Sequence, residues 1–223
     1  MESRYDRNIG AFEPEEMERI RRKNVCIAGC GGLGGYVLEE LLRAGVGSIT
    51  AVDGDRFEES NLNRQLLCTV ENIGCGKAEE ARLRGRKVNP DVAVRPVSEY
   101  LTRNNAAEIL QGADAAVDAL DSPESRLILA EACESLKIPL IHGAIGTWYA
   151  QAAVILPGSG LMQRLYVPED RAAGSSTLSF VPALCASVQA AETLKILAGR
   201  ESVLAGKVLL MDLKRQEYEL LPL

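Results

Sequence analysis

The chain has 223 residues, is 47% hydrophobic and 25% charged, and carries a net charge of −6. That length supports one large α/β domain with its own core, and an acidic balance without a block of like charges argues against nucleic-acid binding. No apolar run is expected to reach bilayer-spanning length, and the polar start from 1 to 8 has no signal-peptide core, so no membrane contact and a cytoplasmic location are the expectation.

Pro14-Glu15-Glu16 predicts a helix running to about Lys23, with its acidic residues at the positive end of the dipole. The apolar run 25–28 reads as a buried strand. Residues 33–44 carry apolar positions at 37, 38, 41 and 42, a helical period that Gly45 stops. A second strand is expected over 49–52 and a helix over 77–88, ended by Asn89-Pro90. Strands over 92–97, 115–117 and 139–141 then alternate with helices over 104–110 and 125–136. Such alternation gives a parallel sheet with helices on both faces.

The rhythm changes near residue 150. A strand over 150–156 has no helix before it and is expected to join antiparallel. A long polar loop over 158–176 follows, containing Gly158, Gly160 and Gly174. A helix over 182–198, capped by Gly199, leads to a hairpin-like pair over 208–211 and 218–220. The fold class is therefore α/β: a Rossmann-like, mostly parallel sheet with helices on both faces, extended by antiparallel strands at its C-terminal end. The expected organisation is one domain over 1–223, with a nucleotide-binding front (1–145) and a substrate-binding back (146–223).

Gly29-Cys30-Gly31-Gly32-Leu33-Gly34 fits G-x-G-x-x-G between a strand and a helix, the context that motif needs. Its glycines let the backbone approach a phosphate, and the helix N-terminus favours negative charge. Asp53 ends the next strand, where a carboxylate accepts ribose hydroxyls, and Asp55 stands two residues on. On these features alone NAD, FAD and ATP all fit. The segment from Glu59 to Gln65 favours ATP, because Asn61 and Arg64 share one face of a helical turn and suit phosphate oxygens. Lys77 opens a helix after a glycine turn, where a further phosphate contact is expected. Asp121, at the end of the fourth strand, is a candidate magnesium ligand, with helix N-capping as the alternative; Asp118 reads as structural.

The six cysteines, Cys26, Cys30, Cys68, Cys75, Cys133 and Cys185, form no Cys-x-x-Cys pair, and His142 is the single histidine. No zinc site is expected.

The combined motifs resemble the ThiF/MoeB/HesA family. Arg4-Tyr5-Asp6-Arg7, the loop Gly29 to Gly34, Asp53-Gly54-Asp55, Ser60 to Gln65, Ile73 to Lys77, Asn89-Pro90 and Asp118 to Asp121 follow in its order, as do Ile141 to Ala144 and Ser187 to Lys195. The resemblance implies ATP-dependent adenylation of the C-terminal Gly-Gly carboxylate of a small ubiquitin-like sulfur-carrier protein, with a sulfur donor as a possible later partner. It also implies a homodimer. Carried over by position, Asp53 binds ribose, Asn61, Arg64 and Lys77 bind phosphates, Asp121 holds magnesium, and Arg7 reaches the neighbouring subunit's ATP. Two departures stand out: the paired zinc cysteines are missing, and the stretch from Arg171 to Thr177 has no cysteine where many members carry one. A covalent step through Cys185 is therefore not expected. Three alternatives are weighed. A tRNA threonylcarbamoyladenosine dehydratase-like enzyme is disfavoured by the acidic charge, and an NAD-dependent oxidoreductase by Asn61, Arg64 and Lys77. A catalytically silent regulatory subunit is disfavoured by the intact phosphate-binding set.

Overall fold

The computed structural model describes residues 3–166 and 176–222. Its centre is an eight-stranded sheet in the order β3-β2-β1-β4-β5-β6-β7-β8. Strands β1 (Asn24–Ala28), β2 (Ser48–Val52), β3 (Ala93–Val97), β4 (Ala115–Asp118) and β5 (Leu140–Ile145) run parallel. Strands β6 (Tyr149–Ile155), β7 (Lys207–Asp212) and β8 (Glu217–Pro222) continue the sheet antiparallel.

The short apolar runs are explained by burial on both faces. In β1, Val25 and Ile27 face one core with α2 (Gly32–Ala44), and Cys26 and Ala28 face the other with α5 (Pro123–Leu136). The first core also takes α1 (Pro14–Ile20), α3 (Lys77–Val88) and α7 (Phe180–Ala198); the second takes α4 (Ala106–Leu110) and α6 (Leu161–Leu165). Gly45 ends α2 in the left-handed region at φ 81°, as its position after the apolar stripe predicts.

Four expectations are revised. The helix α1 stops at Ile20 because Arg22 and Lys23 make i→i−3 bonds that turn the chain into β1. The strand β5 runs on to Ile145 because β6 folds back against it. The polar loop after β6 contains α6, whose Leu161 and Met162 are buried; Gly174 lies outside the described residues. And α7, 19 residues long, is apolar enough to span a bilayer by length and composition. It packs instead against α2 and the sheet, and it carries the buried polar residues Gln189, Glu192 and Thr193.

Candidate functional site

Strand order reverses direction between β1 and β4, and a crevice opens there at the carboxyl ends of the strands. It holds a cavity of about 600 Å³. The loop from β1 into α2 forms its floor. Gly29 has φ 96°, and a Cβ there would lie 2.5 Å from the Ala119 carbonyl oxygen. A Cβ on Gly34 would lie 1.8 Å from the Gly29 carbonyl oxygen. Both positions therefore require glycine, and the result is a helix N-terminus facing the cavity with no side chain in front of it.

Asp53 braces this loop. Its carboxylate accepts the Cys30 N–H at 2.7 Å and the Asp55 N–H at 2.8 Å. Burial pushes its pKa up, against those two backbone hydrogen bonds and Lys77. Each oxygen keeps a lone pair for a ribose hydroxyl. Asp55 accepts the Tyr100 hydroxyl at 2.6 Å and the Lys77 ammonium at 3.1 Å. The Tyr100 hydrogen bond foremost, then Lys77, hold the Asp55 carboxyl below its ordinary range. Lys77, a solvated residue in most helix-start contexts, is 8% exposed and aimed at the cavity.

Arg64 also lines the cavity, its guanidinium donating to the Ser60 carbonyl and to Asn63 Oδ1, both at 2.9 Å. Next to it, Gln65 is 7% exposed and its Oε1 has no hydrogen-bond partner among the described residues, as is also true of Thr177 Oγ1 on the same wall. Asn61 is differently employed. It is buried, accepts the Glu58 N–H at 3.0 Å as part of a capping box, and does not line the cavity.

Asp121 is exposed at the cavity, and the capping alternative goes to its neighbour: Ser122 Oγ accepts the Ser125 N–H at 3.1 Å. Four carboxylates line the cavity, Asp53, Asp55, Glu99 and Asp121. The first three accept hydrogen bonds; Asp121 has none among the described residues. Arg7 lies elsewhere. Its 3-10 turn is anchored by Tyr5, which packs against Gly45 and accepts the Asn89 side-chain N–H at 2.7 Å. Gly45 and Asn89 precede β2 and β3, so this turn sits at the amino ends of the strands, opposite the cavity at their carboxyl ends.

Beyond Asp121 the structure assembles a polar cluster that the motifs do not announce. Asp118 and His142 are adjacent in the β4–β5 register, both 0% exposed, with His142 Nδ1 2.7 Å from Asp118 Oδ2. Arg126 donates to the Leu120 carbonyl at 2.5 Å and the Gly143 carbonyl at 2.9 Å, tying the ends of β4 and β5 together. The Tyr166 hydroxyl accepts the Gln151 side-chain N–H at 2.9 Å and lies 3.4 Å from His142 Nε2. Burial pushes the His142 pKa down despite Asp118. Burial also opposes the charge on Asp118, but Arg126 and then His142 outweigh it and hold that carboxyl low. The available signal in the sequence was a single histidine inside an apolar strand, which requires a buried partner.

Cys185 is fully buried on α7, and burial pushes its thiol up to about 12. The stretch 171–175 lies outside the described residues. Among the described residues, no group of three or more His, Cys, Asp or Glu is placed to hold a metal ion.

Residues 5–223 match the ThiF family. The chain is 40% identical over 211 residues to a protein of Thermus thermophilus named sulfur carrier protein adenylyltransferase, covering 89% of this chain and 78% of that one. It is 35% identical over 228 residues to the SAMP-activating enzyme E1 of Haloferax volcanii, covering 98% and 84%. It is 34% identical over 217 residues to a probable molybdopterin-synthase adenylyltransferase of Porphyra purpurea, covering 93% and 57%. Among solved structures, E. coli MccB with ATP shares the fold at a TM-score of 0.83 and 22% identity, covering 100% of this chain and 72% of that one.

Proposed function

The chain belongs to the ThiF family, and on that premise we propose that it adenylates the C-terminal carboxylate of a small ubiquitin-like sulfur-carrier protein with ATP, releasing pyrophosphate. The observation that carries this reading is the convergence on one cavity of a bare helix N-terminus, a ribose-type carboxylate, two cations and one uncommitted carboxylate.

In this reading Asp53 accepts the ribose hydroxyls and the phosphates lie along the N–H groups of the Gly31–Gly32 turn. Arg64 and Lys77 neutralise the departing charge. The carrier carboxylate is ionised at neutral pH and needs no general base. Its oxygen attacks the α-phosphorus, the α–β bridging bond breaks, and pyrophosphate leaves with that electron pair. The acyl-adenylate that remains is open to a sulfur donor.

Asp121 suits magnesium, because an exposed carboxylate without a protein partner is the donor a hard cation takes beside phosphate oxygens. The ion would supply charge neutralisation at the phosphates; Asp121 would hold it. Arg7 stands at the amino ends of the strands, away from its own cavity, so the role that the resemblance implies for it would need a second copy of the chain, and we read the active form as a homodimer in the cytoplasm. None of the buried thiols is needed. Pyrophosphate exchange into ATP, with and without Gly-Gly-terminated carriers, tests the reading. Exchange that depends on a carrier supports it; exchange independent of every carrier, or none, contradicts it.

A further inference from the structure

Once the nucleotide is given the end of the cavity bounded by Asp53, Lys77 and Tyr100, the other end remains. Arg126, Ala144, Ile145 and Tyr166 bound it. Among the described residues lining it, no cation is free. The Arg126 guanidinium is committed to the Leu120 and Gly143 carbonyls and lies 3.5 Å from Asp118. This end suits a narrow peptide segment better than a polyphosphate.

Tyr166 is held in this wall from several sides. Its hydroxyl meets Gln151 at 2.9 Å, Arg126 at 3.3 Å and His142 at 3.4 Å. The Arg126 guanidinium carbon lies 5.4 Å from its ring centroid, and the His142 ring meets it edge-on at 5.5 Å. His142 is itself fixed by Asp118, and Arg126 by two carbonyls. The ring therefore belongs to a rigid wall, unlike an exposed tyrosine that swings aside. His142 is fully buried and does not line the cavity; its side-chain neighbours are Asp118, Arg126, Gln151 and Tyr166.

We propose that Tyr166, locked by Arg126, Gln151 and the Asp118–His142 pair, is the specificity-determining wall that restricts the carrier's C-terminal residue to glycine, with His142 as its positioning residue. This rests on the proposed carrier adenylation. Rigid walls discriminate a single added methyl by about 10-fold or more. A loosened wall does not.

The test uses full-length protein and a Gly-Gly-terminated carrier beside versions ending in Gly-Ala and Gly-Val. Pyrophosphate exchange gives kcat/KM for each tail, and KM for ATP is measured in parallel. Wild-type protein should prefer glycine over alanine by about 10-fold or more. Tyr166→Ala should cut that preference to about threefold or less by admitting the larger tails, with KM for ATP within about twofold of wild type. His142→Asn keeps a donor toward Asp118, removes the ring against Tyr166, and should lose part of the preference. Tyr166→Phe keeps the ring, guards against a folding failure, and should fall between wild type and Tyr166→Ala. Preference unchanged in Tyr166→Ala and Tyr166→Phe, with wild-type exchange intact, overturns this inference alone. Wild-type protein without carrier-dependent exchange overturns the proposed function, and this inference with it.

Discussion

At the nucleotide end of the cavity, Gly29 and Gly34 press so closely on backbone that a single methyl group has no room. Charged side chains then stand around that bare loop, from buried Lys77 through half-buried Asp53 and Arg64 to exposed Asp55 and Asp121. At the acyl end the materials are reversed. Arg126, Asp118, His142, Gln151 and Tyr166 are packed inside the protein, and their hydrogen bonds to one another shape the wall. On the proposed reading, the first end would recognise ATP through absent side chains, and the second the carrier tail through present ones. Substitutions should therefore act differently at the two ends: added bulk is ruinous at the first, and lost polar contacts matter at the second.

The largest effect should follow Gly34→Ala. Its Cβ would sit 1.8 Å from the Gly29 carbonyl oxygen, so the loop must move off the phosphate position. ATP affinity should fall by about 100-fold or more, measured by calorimetry. Near-normal affinity would show that the loop shape is not what binds. Arg7 sharpens the comparison, because it belongs to neither end within one chain. Arg7→Ala and Arg64→Ala should each be inactive, yet equal mixing of exchanging subunits should recover about a quarter of wild-type exchange, since one heterodimer site stays whole. No recovery would count against a site shared between subunits.

The acyl end should reveal itself in acid. The His142 pKa is lowered in the folded state, mainly by burial, below its ordinary 6.5. The unfolded chain therefore takes up that proton first, and this contribution to stability, present above about pH 6.5, is lost as pH falls. Melting temperature should therefore fall as pH drops below about 6.5. His142→Asn should flatten that slope; an identical slope would mean that other groups set it. The smallest effect should be that of Tyr100→Phe at the nucleotide end. The ring stays over Gly54, and only the hydrogen bond that orients Asp55 toward Lys77 is removed. KM for ATP should rise about two- to fivefold.

The same contrast explains what was legible in the sequence. Gly29 to Gly34, Asp53 and Lys77 could be placed because glycine spacing and strand ends dictate backbone geometry over a few residues, and α3 begins at Lys77 as its pattern predicts. Asp121 was legible as a strand-end carboxylate, but the cap had to be seen on Ser122 before Asp121 could be recognised as uncommitted. Asn61 looked equivalent to Arg64 because a helical turn puts them on one face; the 3-10 geometry at Glu59–Asn61 instead folds Asn61 back onto the Glu58 N–H. The Asp118–His142–Tyr166 cluster was not legible. Its members are separated by up to 48 residues in the chain, between Asp118 and Tyr166, and only the β4–β5 register and the return of α6 bring them together. Tyr100 was missed because nothing local to 99–101 indicates that Asp55 lies opposite.

The central claim is that this cavity transfers an adenylyl group with Asp121 holding magnesium against the phosphates. The direct measurement is carrier-dependent pyrophosphate exchange by Asp121→Asn across ATP and magnesium concentrations, with melting temperature followed in the same samples. Loss of one electrostatic contact to the transition state is worth about 3–4 kcal/mol, or two to three orders of magnitude in rate. The account predicts that loss at saturating ATP, with unchanged melting temperature because Ser122 already caps α5. Near-normal turnover at saturating ATP and ordinary magnesium would contradict it.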